Sequence, residues 1–183
     1  MDVQKYTGLK HPIQNYPYRL TIDIIKPLIP FIENKSVCDI GCGAGDILFE
    51  IGKYAKSIIG IERHKGFKNE LDRLGVNRDF IIWGDLFSIE LPIVDVYYLW
   101  ISSDVKLNRQ IVDILPKECI IIDATTNLDI FSSFYDLQLI KKIDYEFDES
   151  NLLGNNPVIV GGVSFETKGT KIIRIYKKIT IKK

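Results

Sequence analysis

Residues 39–46 read Asp-Ile-Gly-Cys-Gly-Ala-Gly-Asp, so Gly41, Gly43 and Gly45 alternate between two acids. Glycine inside regular structure costs about 0.5–1 kcal/mol relative to alanine, so this pattern needs a local reason. A turn without side chains lets a ligand touch the backbone, and a helix start just beyond it leaves N–H groups free. A dinucleotide fingerprint, G-x-G-x-x-G counted from Gly41, would put its third glycine at 46. That position is Asp46, an acid that would repel a pyrophosphate placed there. A ligand carrying a cationic amine suits a turn that follows Asp39 and precedes Asp46.

Other candidate groups follow at regular intervals. Glu62 ends the apolar run SIIGIE, with Arg63 and His64 directly after it. A carboxylate at such a strand tip can accept both hydroxyls of a ribose. Gly84, Asp85 and Leu86 follow another apolar run. Trp100 lies near the end of VDVYYLWISSD; its ring face would favour a nearby cation. Asp123 closes ECIIID, and Ser102 and Asp104 are weaker candidates in the segment after Trp100. Cys38, Cys42 and Cys119, with His11 and His64, have no spacing that suggests a metal site.

The elements that must position these groups alternate in type. Apolar runs at 36–40, 57–62, 79–83, 94–101 and 118–123 read as strands. Helical patterns occupy 46–54, 65–74 and 107–115, the second ended by Gly75 and the third by Pro116. Leu128 to Leu137 reads as a further helix, and 140–148 and 171–181 as two final strands pairing antiparallel. An opening helix around Leu20, Ile24, Ile25 and Leu28 is expected to kink or stop at Pro27 and Pro30. The glycine-rich stretch 151–170 reads as a long loop, with Val158-Ile159-Val160 as a possible edge strand. Crossovers of this kind imply an α/β fold: a doubly wound, mostly parallel seven-stranded sheet with an antiparallel terminal strand and helices on both faces.

The 183 residues suit one domain, with 1–17 as a leader or lid and 18–183 as the core. Tyr6, Tyr16, Tyr18 and Arg19 make the segment before the core aromatic, and it is either a lid or a mobile leader. Equal numbers of basic and acidic residues argue against binding driven by a broad basic face on nucleic acid. Three cysteines without framework spacing indicate a reducing compartment. No signal peptide or membrane-spanning run is visible, so a cytoplasmic protein without a membrane partner is expected. The basic, acid-free tail after Lys168 reads as a terminal strand whose lysines blunt edge-to-edge pairing.

Taken in order along the chain, Asp-Ile-Gly-Cys-Gly-Ala-Gly at 39–45, Glu62 and Gly84-Asp85-Leu86 resemble the cofactor stations of class I, Rossmann-like S-adenosylmethionine-dependent methyltransferases. The resemblance covers roughly residues 18–125 and, more weakly, the last two strands. It implies S-adenosyl-L-methionine as cofactor. Asp39, the three glycines, Glu62, Arg63, Gly84, Asp85 and Leu86 would bind it, with Asp85 near the adenine amino group and Leu86 against the ring. Where base N-methyltransferases carry Asn/Asp-Pro-Pro-Tyr/Phe, this chain has Trp100-Ile101-Ser102-Ser103. That departure argues against methylation of a base amino group; the Trp100 ring either lines the transfer pocket or packs with Tyr98 under a helix. The acceptor is open among protein, small molecule and RNA, with a protein lysine or other amine ranked first. The alternative is a non-catalytic cofactor-binding module or partner subunit, suggested by Trp100 in place of a polar catalytic residue.

Overall fold

The computed structural model describes residues 24–99, 105–124, 131–148, 158–160, 163–165 and 168–180. Residues 1–23, 100–104 (Trp100 to Asp104), 125–130, 149–157, 161–162, 166–167 and 181–183 lie outside them. Helix α1 spans Ile25–Ile32 and leads into strand β1, Ser36–Ile40. Helix α2 (Asp46–Ile51), strand β2 (Ser57–Glu62), helix α3 (Lys65–Leu74) and strand β3 (Ile81–Trp83) follow. Then come β4 (Val96–Leu99), α4 (Val105–Ile114), β5 (Ile120–Asp123) and a 3-10 turn at Phe131–Ser133. The chain continues through β6 (Leu137–Asp148), β7 (Val158–Val160), β8 (Val163–Phe165) and β9 (Lys168–Lys178).

Seven strands form one sheet in the order β3-β2-β1-β4-β5-β9-β6, while β7 and β8 make a separate hairpin. The first five are parallel; β9 runs antiparallel to both β5 and β6. From β1 the chain first builds outward to β2 and β3, then returns to β4 on β1's other side. Strand order therefore reverses between β1 and β4, and a crevice opens at their carboxyl ends.

Alternation along the inner strands feeds two cores. Val37, Val96, Tyr98, Ile122, Ile173 and Ile175 meet α1 on one face. Cys38, Ile40, Tyr97, Leu99, Ile121 and Tyr176 meet Ile111, Val112 and Leu115 on the other. All four residues of β4 are buried, as expected for a central strand of a parallel sheet.

Several expectations from the sequence are corrected. Helix α1 continues past both prolines to Ile32 and does not end at either. Pro27 falls in the first turn, where its missing N–H has no intrahelical partner to lose. Pro30, inside the helix, costs about 3 kcal/mol. Burial of Ile25, Leu28 and Ile32, at about 1.5–3 kcal/mol each, exceeds that cost. The helix expected over 128–137 is, in its described part, a single 3-10 turn followed by β6. Val158–Val160 joins the β7–β8 hairpin and not the main sheet's edge.

The tail lysines do not guard an edge, because β9 is paired on both sides. Arg174 and Lys178 are buried. Lys178 Nζ donates to the carbonyls of Val112 at 2.6 Å and Leu115 at 2.5 Å, closing the end of α4. Arg109 on α4 makes a two-pronged contact with Asp136, at 2.6 and 2.8 Å, and its guanidinium lies 4.8 Å over the Phe134 ring. These contacts anchor α4 to β9 and to the turn before β6. Among the described residues, no helix is long and apolar enough to cross a membrane.

Candidate functional site at the strand tips

The glycine turn leaves β1 at the crevice and is pinned to β2: the Gly41 N–H donates to the Ile61 carbonyl at 2.8 Å. Gly43 and Gly45 have φ of 59° and 78°, which side chains other than glycine's rarely tolerate. Their surroundings differ. A Cβ on Gly45 would sit 2.9 Å from both Ile81 Cδ1 and Phe80 Cε2, so this glycine serves close packing against the approach to β3. A Cβ on Gly43 would meet only the Phe67 ring at 3.6 Å, ordinary contact. Sequence reasoning missed Gly60 of β2, where a Cβ would come within 2.6 Å of Cys42 Sγ. That glycine makes room for the turn, and a lone glycine within an apolar strand was its available signal.

Glu62 reaches from the tip of β2 across this turn. Its Oε2 accepts the Gly43 N–H at 2.9 Å and its Oε1 accepts the His64 N–H at 2.6 Å. Each oxygen retains a further lone pair for a ligand hydroxyl. The Glu62 carbonyl also accepts the Gly84 N–H at 2.9 Å, linking the tips of β2 and β3. Asp85 Oδ1 accepts the Phe87 N–H at 3.1 Å, which orders the turn after β3. Leu86 packs into the core with Ile40 and Ile61.

Asp39, next to last in β1, is 3% exposed. Burial and, secondarily, the charge of Glu62 push its carboxyl up to about 8. Two acids within electrostatic reach of one another, one of them buried, suit a ligand that brings positive charge. The Cys42 thiol is also pushed up, chiefly by burial, so it is not poised as a nucleophile.

The structure therefore gathers Asp39, Gly41, Gly43, Gly45, Glu62, Gly84, Asp85 and Leu86 at adjacent strand tips. Arg63 is exposed and lies beside that group. Asp123 is buried at the tip of β5, in register with Arg174 of β9. Trp100, Ser102, Asp104 and the aromatic leader fall outside the described residues. Tyr98 of β4 packs in the core that α1 covers. It is in register with Asp39, and its buried hydroxyl has no hydrogen-bond partner among the described residues.

No family model and no curated protein matches the sequence. Solved structures do match. A candidate RNA methyltransferase from Pyrococcus horikoshii superposes with a TM-score of 0.60 at 14% identity, over 86% of this chain and 82% of that one. This chain has the class I methyltransferase fold. The same methyltransferase fold relates it to a candidate methyltransferase from Bacillus halodurans, with a TM-score of 0.56 at 10% identity, over 87% of this chain and 99% of that one. An S-adenosylmethionine-dependent O-methyltransferase from Thermotoga maritima gives 0.56 at 12% identity, over 88% of this chain and 66% of that one. At these identities the likeness is one of fold. Within this methyltransferase fold, the residues present fit an adenosyl sulfonium: an acidic strand-tip pair for its charge and hydroxyls, a turn free of side chains at Gly41 and Gly43, and a buried hydroxyl on Tyr98, in register with Asp39, that is unpartnered among the described residues.

Proposed function

We propose that this protein binds S-adenosylmethionine at the tips of β1, β2 and β3 and transfers its methyl group to an acceptor docked over β4. The observation that carries this reading is Glu62, held by the Gly43 and His64 N–H groups while Asp39 lies buried within reach of its charge. S-adenosylmethionine supplies a methyl group already activated on a sulfonium.

Glu62 accepts the ribose hydroxyls with the lone pairs that the backbone leaves free. Asp39 faces the ligand's ammonium group, whose charge favours the ionised carboxylate. Asp85 and Leu86 flank the base, the first as an acceptor and the second as an apolar surface. Positioning and exclusion of water are then the protein's main contributions. An amine acceptor, a protein lysine first among them, must first release its ammonium proton to water, and then attacks the methyl carbon through the freed nitrogen lone pair. Trp100-Ile101-Ser102-Ser103, in place of the Asn/Asp-Pro-Pro-Tyr/Phe that would grip a base amino group, supports that ranking.

The test is calorimetric titration with S-adenosylhomocysteine, followed by incubation with labelled cofactor and fractionated protein, RNA and metabolites. Binding plus label in protein supports the reading. Label only in RNA or metabolites removes the lysine acceptor. Binding without transfer to any fraction favours a cofactor-binding module, and no binding removes the site.

A further inference from the structure

Tyr98 and Asp39 are partners in the parallel ladder between β4 and β1, at the point where strand order reverses. Alternation puts them on the same face of the sheet, the one covered by α1: Val37 and Tyr98 both belong to that core. Tyr98 is 2% exposed, and its hydroxyl is buried without a hydrogen-bond partner among the described residues. Native proteins rarely leave a buried hydroxyl in that state, and each case calls for an explanation. The groups that act on it electrostatically are Asp39, Asp123 and Tyr145. Asp39 and Asp123 end their strands or nearly so, so the residues around Tyr98 lie on the carboxyl-end side of the sheet, where strand order reverses.

A phenol beside a buried acid offers one hydrogen-bond donor and one anion-forming group. Their joint complement is a zwitterion: a carboxylate for the phenol and an ammonium for the acid. An α-amino acid group carries both on one carbon. We infer that the Tyr98 hydroxyl donates to the carboxylate at the amino-acid end of the ligand, beside Asp39 at its ammonium group. This rests on the reading of the strand tips as an S-adenosylmethionine site and adds a specificity residue to it. Tyr98 thereby distinguishes ligands that retain the carboxylate from those that have lost it.

The test compares S-adenosylhomocysteine with its decarboxylated counterpart, adenosyl thiopropylamine, by calorimetry on the full chain. The wild-type protein is expected to prefer the carboxylate-bearing ligand by about tenfold, the scale of one hydrogen bond to a charged group. The Tyr98→Phe variant, which removes one oxygen, is expected to lose about tenfold for S-adenosylhomocysteine and less than about twofold for the amine. Equal losses for both ligands would mean that Tyr98 acts only through Asp39, and would overturn the carboxylate contact. So would a wild-type protein that binds both equally, a measurement that does not depend on the variant folding. Failure of the wild type to bind either ligand would instead overturn the strand-tip site itself.

Discussion

Glu62 accepts the Gly43 N–H at 2.9 Å, so the end of β2 fastens the middle of the glycine turn that leaves β1. The same carboxylate holds the His64 N–H, and one side chain thereby orders the two loops that border the crevice. Glu62→Ala removes these contacts together with the proposed ribose acceptor. Loss of a hydrogen bond to a charged group costs about 1.5–3 kcal/mol, so affinity for S-adenosylhomocysteine should fall by roughly 10- to 100-fold. Calorimetry measures it; unchanged affinity would remove Glu62 from the site.

Asp39 makes stability depend on pH. Its carboxyl is raised from 3.8 to about 8 in the folded chain. Below pH 4 folded and unfolded chains both hold the proton. As pH rises from 4 to 8 the unfolded chain releases it first, and the folded state loses stability relative to the unfolded. Asp39→Asn does not titrate and resembles the protonated acid. The variant should match the wild type near pH 4 and exceed it by at least ~1 kcal/mol near pH 8, roughly 2–4 °C in Tm. Thermal melts of the ligand-free protein at both values check the sign. In the same variant, affinity for S-adenosylhomocysteine should fall.

The glycines of the turn should separate by mechanism. Gly45→Ala incurs the left-handed penalty of about 1–2 kcal/mol and, in addition, contacts at 2.9 Å with Ile81 and Phe80. Gly43→Ala incurs only the conformational part, since its nearest neighbour stands at 3.6 Å. Melting should therefore show a larger loss for Gly45→Ala, whereas ligand titration should show the larger affinity loss for Gly43→Ala relative to its stability change.

Lys178 gives a control remote from the crevice. Lys178→Met keeps the aliphatic stem but leaves the Leu115 carbonyl without its lysine donor, while the Val112 carbonyl keeps the Leu115 N–H. A buried group left unsatisfied costs about 1–3 kcal/mol, so the variant should melt several degrees lower. Where it remains folded, its affinity for S-adenosylhomocysteine should equal the wild type's.

Much of this arrangement was legible in the chain. Strands 36–40 and 57–62 and helix 65–74 have the bounds read from apolar runs and from Gly75, because local patterning and punctuation suffice there. The acids and glycines at successive tips were legible because each lies where an apolar run stops. Less legible were features set by partners distant in sequence. The insertion of β9 between β5 and β6 turned presumed edge lysines into an interior arginine and a helix-closing lysine. Tyr98 looked like any core aromatic, since its register with Asp39 depends on a pairing across 59 positions of chain. Pro27 and Pro30 misled because the apolar surface that α1 buries outweighs their local preference.

The placement of β9 also imposes an order on biosynthesis. Strand β6 leaves the ribosome before β9, which among the described residues is the strand that joins it to the sheet, and β5 waits with one flank bare for the same segment. Loop closure over such separations is slow. A nascent chain must therefore shield two open β-edges until residues 168–178 arrive, and a premature stop ahead of them would strand β6 as an orphaned ribbon beside an otherwise formed crevice.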